Sequence, residues 1–169
     1  WSRAFHDVYY YQPHDWAASA AEGAALSLQA GTTAVAEIVT DLEAGAAVHN
    51  SGLYGVAFWE VFGWKNADWR DHGRAQVLQE LASIPTPPGS GLSPHAIYSL
   101  DTEVLRDLAA ITGDRGMRQH IHAAESASEN EFALTGSGAL ADQWRGAGHS
   151  DFALLAEHGR QREGARRLA

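Results

Sequence analysis

A nearly continuous apolar run at residues 53–62 places the strongest constraint on the fold of this chain. The run is bounded by Gly52 and Gly63, and Glu60 is the charged residue within it. A strand with one face in water alternates apolar and polar residues, whereas a strand covered on both faces does not. The run therefore predicts a strand buried on both faces of a parallel sheet.

Strand-like and helical segments alternate along the chain. An alanine-rich helix is expected over residues 16–30, with Gly31 at the position of a C-terminal cap. Four strand-then-helix units follow it. Their predicted strands or strand ends cover residues 32–39, 53–62, 92–99 and 117–122. Such a series favours a parallel α/β fold.

Local signals predict where helices begin behind these strands. Asp101 or Thr102 is expected to cap one helix. Another helix should begin directly after Glu125, where two pairs have capping-box spacing: Ser126 with Glu129, and Ser128 with Glu131. The breaker-rich residues 84–91 resemble a linker but are too few to establish a domain boundary. We therefore expect a single domain over residues 1–169.

The composition argues against several classes of function. With 12 Lys and Arg against 21 Asp and Glu, the net charge is −9. Nucleic-acid binders usually display a basic face, so nucleic acid is not an expected partner. The absence of cysteine excludes disulfides and thiolate ligands, so a tightly held metal would need nitrogen and oxygen ligands, which the nine histidines make feasible.

The sequence shows no signal for a membrane. No apolar run approaches the roughly 20 residues of a membrane span, and the first residues lack the layout of a signal peptide. We therefore expect no membrane partner and a cytoplasmic location. Because the chain begins with Trp1 rather than Met, we also expect it to be a fragment.

Four residues able to do chemistry lie at or just after predicted strand ends: Glu60, His95, His122 and Glu125. The carboxyl ends of parallel strands meet at one edge of a sheet, so we expect these side chains to converge. A neutral imidazole binds a metal ion, and a nearby carboxylate can move protons. His120 and His122 lie two apart on a strand and face the same side, which predicts a two-histidine metal clamp.

Structural roles are the alternative for each of these residues. Glu60 would cap its strand end or pair with Lys65, and His95 would order its loop. Glu125 would be a first-turn acid favoured by the helix dipole. The remaining histidines have no spacing that distinguishes them from solvated residues: His6, His14, His49, His72, His149 and His158. The six tryptophans are expected to pack in the core or between helices.

Four blocks of sequence carry a resemblance through their order and spacing: residues 31–35, 52–63, 93–99 and 120–126. Together they resemble the amidohydrolase superfamily, and most closely its branch of chlorohydrolases and amine deaminases, which includes the aminodeoxyfutalosine deaminases. The resemblance extends roughly from Trp16 to Gly148.

The resemblance implies a TIM barrel with one zinc or iron ion, whose bound hydroxide attacks an aromatic amidine-like carbon and releases ammonia. It implies that His122 is the metal ligand from the fifth strand and that Glu125 is the proton shuttle. His95, from the fourth strand, would contact the substrate, and we assign Glu60 to substrate binding as well. His120 matches a position that is not normally a ligand, so the resemblance disfavours the two-histidine clamp.

The chain also departs from the family pattern. The family's first strand carries a His-x-His metal pair, which has no counterpart before Gly31. Ile97 replaces a usual proline, and Glu37 stands where aspartate is common. The later histidine and aspartate ligands have no convincing counterpart, since His158 better fits a helix end. We therefore expect the remaining ligands to lie outside this sequence.

A complete TIM barrel needs about 250 residues, so the chain is expected to form the second to fifth strand-helix units of a barrel. The function expected from the resemblance is part of a metal-dependent amidohydrolase that deaminates a small molecule, either nucleoside-like or another aromatic amine. The alternative is a non-catalytic barrel remnant or interaction module that lacks the full metal site. A His-x-His pair upstream and an aspartate downstream in the natural gene would favour the enzyme. In either case, exposed barrel edges predict either association with a partner, for example as a homo-oligomer, or aggregation.

Overall fold

A computed structural model describes residues 14–84, 89–149 and 151–152. Its strands are β1 (Ala34–Val39), β2 (Tyr54–Val61), β3 (Ser90–Pro94) and β4 (Arg118–Gln119). Its helices are α1 (Trp16–Gln29), α2 (Leu42–His49), α3 (Asn66–Asp68), α4 (Arg74–Ser83), α5 (Thr102–Arg115), α6 (Ala127–Thr135) and α7 (Ala139–Gly146). A π-helical turn at Trp69–Gly73 joins α3 to α4. The predicted alternation of strands and helices is confirmed.

The four strands form one parallel sheet in which neighbours in the chain are neighbours in space. Pro94 is the last residue of β3, as expected from its missing N–H group. Hydrogen bonding between the two neighbouring chain segments nevertheless continues just beyond Pro94: the His95 amide donates to the Val61 carbonyl at 3.0 Å. Ala96 then forms a parallel bridge with His122. The chain after β3 and the chain after β4 are thus held side by side.

Strand β2 sends alternate side chains to opposite faces of the sheet. Trp59 and Val61 point to the main core, which strands and helices share. The helical members of that core are Trp69, Val77, Leu81, Val104, Leu108 and Ile111. On the other face, Phe58 contacts the His120 ring and Glu60 lies beside His122. Burial on both faces explains why the β2 sequence is apolar at almost every position.

The outer parts of the sheet are less covered than the prediction implied. Tyr54, at the start of β2, is 80% exposed, and β1 fully buries only Val39. Among the described residues, β1 and β4 each have a strand on one side only. Both edges therefore present unpaired backbone groups.

Polar side chains and glycines fix several helix ends. Asp41 caps α2 by accepting hydrogen bonds from the amides of Glu43 and Ala44. Gly116 ends α5 in the left-handed region with a φ of 63°. None of the helices in the described ranges has the length and apolarity needed to cross a membrane.

No signal in the sequence indicated the π-helical turn at Trp69–Gly73. Trp69 in this turn is 1% exposed, and its indole N–H donates to Asp107 at 3.1 Å. Gly73 lies so close to Trp64 that an added Cβ would stand 2.5 Å from the ring. Periodicity over a few residues does not reveal a contact of this kind.

Gly91 in β3 is a position where packing should decide stability. A Cβ added there would lie 2.4 Å from Phe58 Cδ1 and 2.9 Å from the Arg118 carbonyl oxygen. We expect Gly91→Ala to lower the free energy of unfolding by about 1–3 kcal/mol, measured by urea denaturation. Gly113→Ala in α5 is the control, because nothing lies within 4 Å of its added Cβ and a small gain in stability is expected. Equal stability of the two variants would contradict the close packing of β2 and β3.

The exposed sheet edges should make the chain self-associate. We expect sedimentation velocity to show species larger than a monomer whose share rises with protein concentration. Ala36→Lys, at an exposed position of β1, should reduce this association, because an edge lysine opposes strand pairing. Ala18→Lys on α1 introduces the same charge at an exposed position away from the edge. A monomer at all concentrations would be evidence against association through the edges.

Candidate active site

The carboxyl edge of the sheet brings the four predicted site residues together. His122 is flanked by two carboxylates: Glu60 Oε1 lies 3.7 Å from its Nε2, and Glu125 Oε1 lies 3.3 Å from its Nδ1. The ring centroid of His95 is 5.5 Å from that of His122. The convergence expected from parallel strand ends is therefore present in the geometry.

His120 lies on the same face of the chain as His122 but has different neighbours. Its ring centroid is 6.0 Å from that of His122 and 5.3 Å from that of Phe58. Two residues apart on an extended chain do share a face, as the sequence predicted. Unlike His122, which is flanked by Glu60 and Glu125, His120 has its ring against Phe58.

His95 is oriented by a short chain of hydrogen bonds. Its Nδ1 lies 2.8 Å from Ser99 Oγ, and that hydroxyl donates to the Ala96 carbonyl oxygen at 3.2 Å. A serine has one proton to donate, so Ser99 accepts from His95 Nδ1–H. Neutral His95 then carries its proton on Nδ1 and leaves Nε2 as a hydrogen-bond acceptor.

Burial favours the neutral forms of His95 and Glu60, the two residues that are expected from the sequence to contact the substrate. It lowers the pKa of His95, and the positive charge of nearby His122 lowers it further, while Glu125 and Glu129 act in the opposite direction. Burial also raises the pKa of Glu60, with His122 opposing that shift. The ion-pair partner of Glu60 within the described residues is His122 rather than Lys65.

The backbone at Ala124 and Glu125 is held by hydrogen bonds, whereas the contact of the Glu125 side chain with His122 is weak. The side chain is 57% exposed. An exposed ion pair contributes roughly 0–1 kcal/mol, which is too little to fix its position. Its backbone follows Ala124, which has a φ of 59° and is the non-glycine residue with positive φ in the described part of the chain. The carboxylate of Glu129 accepts hydrogen bonds from the amides of both Ala124 and Glu125.

An aromatic wall stands beside His95 and was not predicted from the sequence. It consists of Phe62, Tyr98 and Trp144, with ring centroids 5.8 Å apart for Phe62 and Trp144 and 5.5 Å apart for Tyr98 and Trp144. Phe62 also meets the His95 ring edge-on at 4.8 Å. Phe62 and Tyr98 follow the ends of β2 and β3, so their place in the sequence could have identified them as residues near the site. Trp144 lies on α7, and its place in the sequence gives no such indication.

A buried contact between a histidine and an aspartate near this wall was also not predicted from the sequence. His149 had no distinguishing spacing, yet it is 3% exposed and its Nδ1 lies 3.0 Å from Asp101 Oδ1. The other oxygen of Asp101 accepts from the Asn66 amide at 2.9 Å. Asp101 therefore begins α5 as expected, but its carboxylate joins three segments of chain instead of capping the helix.

Two of the described residues that lie close together have side chains able to bind a metal ion. His122 offers a nitrogen ligand and Glu60 an oxygen ligand, and the distance between His122 Nε2 and Glu60 Oε1 is 3.7 Å. Since the chain has no cysteine, any metal site would have to be built from ligands of these two kinds. No group of three or more candidate ligands occurs in the described ranges. These residues alone therefore do not form a closed site. His158, the weaker candidate from the sequence, lies outside the described residues.

Neither a protein-family model nor a curated protein sequence matches the chain. Among solved structures, it is similar to Helicobacter pylori aminofutalosine deaminase, with a TM-score of 0.64, 19% sequence identity, and coverage of 76% of this chain and 33% of that one. The same deaminase in complex with methylthio-coformycin gives a TM-score of 0.63, 22% identity, and coverage of 79% and 34%.

The chain thus has the fold of part of a TIM barrel and spans about a third of the length of these deaminase structures. The partial barrel predicted from the sequence is confirmed. The resemblance to amine deaminases is confirmed at the level of the fold.

The lowered pKa of His95 leads to a pH-dependent prediction. In metal-free chain we expect its ring to titrate below the usual 6.5, because burial and His122 both disfavour its charged form. Since the folded chain then binds this proton less readily than the unfolded chain, the contribution of His95 to stability should be lost as the pH falls below about 6.5. Titration of the ring Cε1–Hε1 resonances by NMR measures this pKa.

Two variants separate the causes of this shift. His122→Gln removes the neighbouring positive charge, so the pKa of His95 should rise part of the way toward its usual value while burial still lowers it. His120→Gln is the matched control and should leave it unchanged, since His120 is not among the causes of the shift. A pKa at or above the usual value in the unaltered chain would contradict the half-buried position of His95.

Proposed function

We propose that Glu60, His95, His122 and Glu125 are part of the active site of a metal-dependent hydrolase that removes the amino group of a nucleoside-like or other aromatic amine. The observation that carries the proposal is an imidazole with a carboxylate at each nitrogen, at 3.7 and 3.3 Å, beside a second imidazole at the carboxyl edge of a parallel sheet. Active sites of such folds lie at this edge.

His122 is the proposed metal ligand, and zinc or iron is the proposed ion. When bound, the ion would supply an activated water. Glu125 is well placed to move protons, because its carboxylate is 57% exposed and 3.3 Å from His122 Nδ1. A carboxylate that reaches both solvent and the site can take a proton from one group and pass it to a leaving amine.

His95 and Glu60 are the proposed substrate contacts. Neutral His95 offers Nε2 as an acceptor, and the raised pKa of Glu60 favours a carboxyl group able to donate a hydrogen bond. The neighbouring wall of Phe62, Tyr98 and Trp144 suits an aromatic ring, since aromatic groups pack edge-to-face or offset against one another.

The similar structures support the choice of reaction. They are of an aminofutalosine deaminase, and an amine of that kind is the substrate class that we propose here. This chain covers only 33–34% of the length of those deaminase structures, so we expect the remaining ligands and much of the substrate pocket to come from sequence beyond these residues. By itself, the 169-residue chain is expected to be inactive.

The second candidate function is a non-catalytic barrel remnant or interaction module. It is favoured by one observation: the described residues do not assemble three metal ligands. In that case the strand-end residues would persist without a metal. Binding experiments on the chain distinguish the two candidates.

Zinc binding tests the assignment of His122. We expect metal-free chain to bind zinc weakly in competition with a chromophoric chelator, because one imidazole and one or two carboxylates do not close a coordination sphere. His122→Gln should weaken this binding by about tenfold or more, since loss of a ligand costs at least as much as loss of a residue that supports one. His120→Gln, on the same strand face, is the control and should bind as the unaltered chain does. Equal losses in the two variants would disprove the ligand assignment, and one tightly held zinc or iron per chain would disprove the incomplete site.

Ligand binding tests the proposed chemistry. With zinc present, we expect methylthio-coformycin to shift the ring resonances of His95 and His122 in NMR spectra, while ammonia release from aromatic amines stays undetectable. Glu125→Gln should weaken this binding by about tenfold, the equivalent of one hydrogen bond to a charged group. His72→Gln, at an exposed position in the π-helical turn, should have no effect. Absence of binding with and without zinc would favour the non-catalytic candidate.

A further inference from the structure

We infer that Glu129 is a positioning residue that holds the backbone of Glu125 in place for the chemistry proposed above, on which this inference rests. Glu129 lies in the first turn of α6 and is 1% exposed, although it is a carboxylate. A buried carboxylate is costly unless its oxygens accept hydrogen bonds. The groups that donate to Glu129 are therefore informative about its role.

Both oxygens of Glu129 bind the turn that leads to Glu125. Oε1 accepts from the Ala124 amide at 2.9 Å, and Oε2 accepts from the Glu125 amide at 2.8 Å. In an ordinary capping box the glutamate reaches back to the amide of the capping residue itself. Here the capping residue is Ser126, and Glu129 reaches past it to the two preceding amides. The hydrogen bonds of Glu129 therefore stabilise the turn at Ala124 and Glu125 rather than the N-terminal end of α6.

The turn needs such support because of its backbone conformation. Ala124 has a φ of 59°, in the left-handed region that residues with a Cβ seldom adopt. Two adjacent amides bound by one carboxylate hold this conformation. Without them, Ala124 would relax toward negative φ, and the following residue would point elsewhere.

Glu125 depends on this support because little else holds it. Its exposed ion pair with His122 is too weak to fix the side chain, as shown above by its exposure. A fixed backbone instead limits the side chain to a few rotamers, one of which places Oε1 3.3 Å from His122 Nδ1. The hydrogen bonds of Glu129 therefore act on the site through the backbone of Glu125. Its charge also raises the pKa of His95, so the tests below read out the turn amides and His122 rather than His95.

Ser126 provides the contrast to Glu129. Its hydroxyl accepts from the Glu129 amide at 3.1 Å, which is a helix cap on the same turn of α6. If Glu129 only stabilised the helix, then removing the cap and removing the carboxylate would have the same consequences. If Glu129 positions Glu125, then only the second change would alter the site.

The first test uses the unaltered chain. Hydrogen-bond scalar couplings in NMR spectra should connect the Glu129 side-chain carboxyl carbon with the amide nitrogens of Ala124 and Glu125. The same two amides should be protected from hydrogen exchange. Absence of both signals would overturn the inference, and this measurement does not depend on any variant that might fail to fold.

The second test uses Glu129→Gln, which keeps the shape but leaves a single oxygen and places an NH₂ group against an amide donor. We expect exchange protection of the two turn amides to fall by about tenfold, the equivalent of one charge-assisted hydrogen bond. The Nδ1 resonance of His122 should move toward its position in Glu125→Gln. Ser126→Ala is the matched control and should leave both readouts unchanged while α6 loses stability.

A rescue variant makes the test specific to the backbone. Glycine adopts positive φ without a steric cost, so Ala124→Gly added to Glu129→Gln should return the His122 resonance part of the way. Failure of this rescue, or an unchanged His122 resonance in folded Glu129→Gln, would overturn the inference. None of these readouts requires metal or turnover, so their failure is distinct from failure of the proposed deaminase function, which the ligand-binding experiment reports.

Discussion

Parallel pairing of strands in chain order is the constraint on which the candidate site depends. Because β2, β3 and β4 run the same way and lie side by side, the residues that follow them emerge at one edge. The pairing continues just past the strands, where the His95 amide binds the Val61 carbonyl and Ala96 bridges to His122. This backbone framework sets the separations of His95, His122 and Glu60 before any side-chain contact contributes.

Desolvation sets the charge states within this framework. It raises the pKa of Glu60 and lowers that of His95, so both residues are shifted toward their neutral forms even though opposite charges lie nearby. Glu129 is more deeply buried than Glu60 and His95, and both of its oxygens accept hydrogen bonds from backbone amides. The candidate site therefore contains two groups whose pKa values are shifted toward the neutral form and one buried carboxylate whose oxygens accept hydrogen bonds from the turn before Glu125.

The open sheet edges and the small number of candidate metal ligands in the described residues have a common geometric basis. A TIM barrel surrounds its lumen with eight strands, and each strand end can add a side chain to the site. The four described strands cover part of such a ring, which agrees with the chain spanning about a third of the similar deaminase structures. The candidate site residues of the described chain therefore come from a few neighbouring strands only.

The sequence by itself determined the parallel α/β architecture, several helix ends and the identity of the residues at the strand ends. These features follow from local signals: an uninterrupted apolar run, glycine and aspartate at helix ends, and histidine and glutamate placed just after strands. Only the tertiary structure decided the wall of Phe62, Tyr98 and Trp144, the burial of His149 against Asp101, and the use of both Glu129 oxygens by the turn before Glu125. The physical reason is that these contacts join residues from separate segments, or depend on a rare φ, and neither leaves a periodic trace along the chain.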